Sequence, residues 1–152
     1  MATELDLPLP AELTVYVYPT RKGYAQGLMD VGGIAAGRAA ELAEHSVGVS
    51  QPRRLFLSDE VLRELPWSTR LSVLAHELTH VAQYELSGGR RGESEQWLRE
   101  GMADWVACWT LERLGEGTFG RERWQAVRAV AHGFPAADGA PLDLVQLGRP
   151  RG

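Results

Sequence analysis

The chain has one cysteine, Cys108, and one lysine, Lys22, among its 152 residues. A single thiol cannot form an intrachain disulfide, so the fold is expected to hold without an oxidising compartment. Cys108 sits in an apolar helical stretch and reads as a buried structural thiol. No apolar run is long enough to span a bilayer. The first residues, Met1-Ala2-Thr3-Glu4-Leu5-Asp6, have neither the basic region nor the apolar stretch of a secretory signal. No membrane partner is expected, and the cytoplasm is the expected location. A basic stripe is also missing. The net charge is −4 and the pI about 5.6, which argues against a nucleic-acid partner. Histidine is scarce as well: His45, His76, His80 and His132 are the only four.

What remains is the composition of an ordinary folded domain, 44% hydrophobic and 24% charged. The length suits one domain over residues 1–152 with a proper core, its two ends (1–12 and 134–152) loosely structured. Leu13 to Tyr18 reads as a strand by its β-branched and aromatic content, stopped by Pro19. Residues 21–33 hold four glycines and read as irregular. Ala35 to His45 is Ala- and Glu-rich and reads as a helix. Gly48 to Pro52 reads as a turn, and Arg53 to Leu57 as a second strand. Pro66, Trp67, Ser68 and Thr69 supply a helix start, and the helix should run to about Leu86. Leu71, Leu74, Leu78 and Val81 have helical spacing and read as its core stripe. Ser87 to Gly92 breaks it, and a further helix should run from Ser94 or Glu95 to about Leu114. Arg121 to His132 reads as a last helix with Trp124, Val127 and Val130 inward. The expected class is α+β: a small mixed sheet packed on one helix, followed by a mainly helical C-terminal half. Trp105 and Trp109 are expected in the core, and Trp67 and Trp97 are expected to lock two helices together.

Two of the four histidines fall in His76-Glu77-Leu78-Thr79-His80. With this composition, chance would produce H-E-x-x-H in about one shuffled chain in a hundred. Residues four apart share a helix face, so both imidazoles can reach one metal ion, with Glu77 beside them as a base for water. A zinc site that keeps a position for water needs a third protein ligand. A third histidine six residues after His80 is absent, because that position is Leu86. Glu100, on the next helix beyond the glycine-rich break, is the candidate. Asp104 lies one turn further on the same face and is placed to accept a hydrogen bond from an imidazole nitrogen that does not face the metal.

HELTH followed by Trp97-Leu98-Arg99-Glu100-Gly101-Met102-Ala103-Asp104-Trp105 resembles the gluzincin metallopeptidases, in which H-E-x-x-H is completed by a downstream Glu. The second phrase is similar to the peptidase MA-like group, and the spacing to Glu100 with an Asp four residues on also resembles the thermolysin family. The resemblance is specific over roughly residues 69 to 112. It implies a zincin-like fold in which His76, His80 and Glu100 hold Zn²⁺, Glu77 is the general base, and a peptide or protein substrate is hydrolysed. It also implies that an extended substrate pairs with a sheet edge, for which Arg53 to Leu57 is a candidate strand.

Related enzymes stabilise the oxyanion with a Tyr or His beyond the Glu ligand. No Tyr follows Tyr84, so the candidates are His132, which also reads as a plain helix-end residue, and Tyr84 itself, one turn beyond His80. The tail near Asp138 or Asp143 could instead fold over the cleft and place a carboxylate on the metal. The Gly88 to Gly92 loop could act as a lid. Two other functions fit the same residues. One is a catalytically weak or inactive zinc-containing interaction module, which the missing Tyr favours and the intact Glu77 opposes. The other is a regulatory metallopeptidase that cleaves a repressor, since Glu100, Ala103, Asp104 and Ala107 are similar to the second-helix pattern of that group.

Overall fold

The protein is represented by a computed structural model, and the structure describes residues 2–89, 95–117 and 120–121. The elements in chain order are α1 (Ala2–Leu5), β1 (Thr14–Tyr18), α2 (Arg21–Asp30), α3 (Ala36–His45), β2 (Gly48–Gln51), β3 (Arg54–Ser58), α4 (Asp59–Glu64), α5 (Trp67–Leu86) and α6 (Gln96–Arg113). The class is α+β, with a three-stranded mixed sheet in the order β1-β3-β2. β1 runs parallel to β3, pairing Tyr16 with Phe56, and β2 runs antiparallel to it, pairing Val49 with Phe56.

The central strand β3 is covered on both faces, whereas Val15 and Val17 of β1 are exposed. On one side, Tyr24 and Leu28 of α2 and Ala39 and Ala43 of α3 enclose Phe56, with Tyr16, Tyr18 and Val49 packed around them. Tyr16 stacks on Phe56 at 5.1 Å between ring centroids. On the other side, alternation turns Leu55 and Leu57 of β3, with Gly48 and Ser50 of β2, toward α5. Being buried on both faces, β3 reads as a continuous apolar run, Leu55-Phe56-Leu57.

α5 packs chiefly against α6. The enclosed residues are mostly small: Ala75, Thr79, Val81 and Ala82 on α5, and Ala103, Val106 and Ala107 on α6. The expected stripe is therefore only partly enclosed. Val81 is buried, whereas Leu71, Leu74 and Leu78 are half-buried. Small side chains let the two helices approach closely, and that approach brings their polar residues within reach of each other. The corner before α5 is held by Arg70, whose guanidinium donates to the Leu65 carbonyl at 2.8 Å and the Arg63 carbonyl at 2.6 Å. After α5, Gly88 and Gly89 adopt positive φ, and the Gly89 N–H donates to the Tyr84 carbonyl. The proposed lid concerns these two glycines and residues 90–92, which lie outside the described residues. So do the expected last helix beyond Arg121, His132, and the tail aspartates Asp138 and Asp143.

Several expectations are corrected. Residues 21–30 form a helix despite Gly23 and Gly27. Thr20 caps it by accepting from the Gly23 N–H at 3.0 Å, and Tyr24 and Leu28, one turn apart, are fully buried. Gly27 is required, because a Cβ there would sit 2.0 Å from the Tyr18 ring. Helical glycine costs about 0.5–1 kcal/mol, which burial of two large side chains exceeds. Gly48 to Gln51 is a strand; the turn is displaced to Pro52 and Arg53, where Arg53 takes a φ of +59°. No correction attaches to the lead-in, where Ala2–Leu5 forms a single helical turn and Glu4 pairs with Arg113 at the end of α6. Trp67, Trp97 and Trp105 are exposed by 61%, 42% and 46%, so they neither lock the helices nor fill the core. Trp109 is half-buried beneath the Arg113 guanidinium, and Cys108 is half-buried rather than enclosed. The buried faces of these helices are taken up by alanine, valine and threonine. Among the described residues, no helix is long and apolar enough to cross a membrane.

Candidate metal centre

His76 and His80 project from the middle of α5, and Glu100 from the first half of α6. The spacing of four residues puts the imidazoles on one face, and the tight α5–α6 packing carries Glu100 to them. His76 Nε2 lies 3.0 Å from His80 Nε2, and each is 3.4 Å from Glu100 Oε2. Among the described residues, these three are the group of His, Cys, Asp or Glu side chains close enough to share one ion.

The partners of the outward nitrogens fix which tautomer each neutral ring takes. His76 Nδ1 is 2.9 Å from Asp104 Oδ1, and His80 Nδ1 is 2.9 Å from Gln83 Oε1. Both partners are acceptors, so in the neutral rings each Nδ1 carries the hydrogen and each Nε2 presents a lone pair. Two lone pairs and a carboxylate oxygen then face one another, an arrangement that repels itself unless a proton or a metal cation lies among them. The spacing suits zinc. A triangle with sides of 3.0, 3.4 and 3.4 Å has corners about 1.9 Å from its centre, and zinc takes His nitrogen and carboxylate oxygen at about 2.0–2.2 Å. The donor set of two imidazoles and a carboxylate, partly open to solvent, is one that zinc accepts.

Glu77 points from the same helix toward β2. Ser50 Oγ is 2.6 Å from Glu77 Oε2 and 2.8 Å from the Glu77 carbonyl, so its single hydrogen has two acceptors in reach. Gly48 makes the space for this carboxylate, since a Cβ there would come within 2.9 Å of Glu77 Cγ. His76, Glu77, His80 and Glu100 line one cleft of about 850 Å³, whose other wall is Gly48 to Pro52 with Ile34, Arg38 and Leu42. Tyr84 lines it too. Asp104, 74% exposed, touches the site only through His76.

The edge strand bordering the cleft is β2, while β3, the candidate edge strand, is the central one. Gly48, Ser50 and Gln83 are functional neighbours absent from the sequence reading. A glycine inside a strand marks a close approach of another group, and that signal was available for Gly48. Gln83 stands three residues after His80, a helical neighbour spacing. No comparable local signal exists for Ser50.

No curated protein and no solved structure matches the chain. A family model described as BSP, peptidase of plants and bacteria, matches residues 28–125, a span that runs from the end of α2 through both helices of the centre. Since that span is more than half of the chain, the protein belongs to this family of peptidases of plants and bacteria.

Proposed function

We propose that the protein is a zinc-dependent metallopeptidase of the gluzincin type, with His76, His80 and Glu100 as metal ligands and Glu77 as general base. The observation that carries this reading is the convergence of three lone-pair atoms within 3.4 Å of one another, beside a carboxylate on the same cleft. Zinc held there supplies Lewis acidity, which makes hydroxide available near neutral pH and polarises a carbonyl.

The remaining steps belong to the chain. Glu77 accepts the proton of the attacking water and delivers it to the leaving amine. Ser50 and the gap at Gly48 hold the Glu77 carboxylate on the cleft side of α5. Asp104 fixes the His76 ring. β2 has no sheet neighbour among the described residues on its cleft side, and an extended peptide can pair there, its backbone supplying affinity and the cleft walls selectivity. Tyr84, on the cleft wall, is the described candidate for a donor to the oxyanion.

Metal analysis with peptide-library hydrolysis, on wild type and Glu77→Gln, tests the assignment. One zinc per chain is expected in both proteins, with turnover only in the wild type. Hydrolysis by Glu77→Gln at the wild-type rate would remove Glu77 as the base. Metal without turnover in the wild type would select a non-catalytic zinc module instead.

A further inference from the structure

We infer that Gln83 is a positioning residue that dictates which nitrogen of His80 faces the cleft, and that the backbone of α6 holds its amide the way round this needs. Its consequence for zinc rests on the metallopeptidase reading; its geometry does not.

The inference follows from a chain of donors and acceptors with one consistent assignment. Gln83 Nε2 lies 2.9 Å from the Arg99 carbonyl oxygen, which can only accept. The amide nitrogen must therefore be the atom facing α6, which fixes the amide against the flip that usually leaves Gln ambiguous. Its oxygen is thereby turned to His80 Nδ1, at 2.9 Å. An amide oxygen cannot donate, so Nδ1 must carry the hydrogen, and the lone pair of the neutral ring is forced onto Nε2. That nitrogen is the one 3.4 Å from Glu100 Oε2.

The anchor is well placed. Arg99 immediately precedes Glu100, so one amide spans from a ring on α5 to the backbone beside the third member of the cluster. The same side chain that faces His80 Nδ1 also bonds α6 one residue before Glu100. Asp104 performs the analogous task for His76, but with a charged group that is 74% exposed. Gln83 does it with a neutral, half-buried group that adds no charge to the cleft.

Two variants separate this role from mere packing. Gln83→Met keeps the length and removes both hydrogen bonds. Gln83→Glu keeps an acceptor for His80 Nδ1 and loses the donor to Arg99. Imidazole ¹⁵N shifts of the metal-free protein, at a pH where the rings are neutral, report the tautomer, and competition with a chelator reports zinc affinity. In the wild type, His80 is expected as the Nδ1–H form. Gln83→Met should lose that preference and weaken zinc by about 10–100-fold, while His76 keeps its own form. Gln83→Glu should keep the tautomer and recover most of the affinity. The inference is overturned if Gln83→Met keeps both the Nδ1–H form and wild-type affinity, or if Gln83→Glu loses the tautomer as Gln83→Met does. A wild type that binds no zinc, yet whose His80 tautomer depends on Gln83, would uphold the inference and sink the metallopeptidase reading alone.

Discussion

Gly48 and Glu77 are in contact across the interface between β2 and α5, and the missing side chain of one is the room occupied by the other. A Cβ on Gly48 would approach Glu77 Cγ to 2.9 Å, Glu77 Cδ to 3.2 Å and Leu57 Cδ2 to 3.2 Å. The clash falls at the base of the Glu77 side chain, so rotating the carboxylate alone cannot relieve it. Gly48→Ala is therefore expected to displace the proposed base while leaving the proposed metal ligands alone. Displacement of about 1 Å near reacting atoms can cost about 100-fold in rate. The measurement is kcat for peptide hydrolysis beside zinc affinity; a loss of affinity as large as the loss of rate would contradict it.

Asp104 accepts from His76 Nδ1 at 2.9 Å. Asp104→Ala should weaken zinc binding by about 10–100-fold, as loss of such partners generally does. Asp104→Asn, whose amide oxygen can still accept, should fall between it and the wild type. Dialysis against graded chelator concentrations orders the three proteins, and zinc affinity in Asp104→Ala equal to the wild type would show that the contact orients nothing.

Ala103 is fully buried on α6, three residues after Glu100. Ala103→Leu should overpack the α5–α6 contact and destabilise the fold by about 1–3 kcal/mol. Because the inserted volume pushes α6 from α5, the distance from Glu100 to both imidazoles should grow and zinc affinity should fall with stability. Denaturant unfolding paired with zinc titration checks this, and an unchanged unfolding midpoint would refute it.

Tyr24 is wholly enclosed, and burial pushes its hydroxyl up to about 12, opposed by its hydrogen bond to Ser46 at 3.2 Å. The ordinary tyrosine value is about 10, so folding favours the neutral phenol. Its contribution is complete below pH 10 and is lost as the pH rises from 10 to 12, an amount of about 2–3 kcal/mol. Tyr24→Phe should flatten the alkaline loss of stability in that window. Tyr18, also raised by burial, leaves a smaller slope behind. Unfolding followed from pH 9 to 12 in both proteins decides it: identical alkaline profiles would exclude Tyr24 as the source.

What the sequence determined alone is whatever depends on near neighbours along the chain. β1, β3, α3, α5 and α6 lie where their composition and periodicity put them. His76 and His80 share a helix face because four residues make about one turn, and no distant part of the chain can alter that. Even the place of Glu100 beside the two imidazoles was legible, since a short break between two helices leaves few ways for the second to run.

The tertiary structure decided everything set by what stands opposite. Glycine propensity argued against α2 and β2, but Gly27 is selected by the Tyr18 ring and Gly48 by Glu77, and both partners come from other elements. The outward position of Trp105 follows from which face of α6 its alanines bury. Ser50 and Gln83 became part of the site only when β2 and α6 were brought against α5. Local propensities amount to at most about 1 kcal/mol per residue, and burial or a close contact of one large side chain outweighs them.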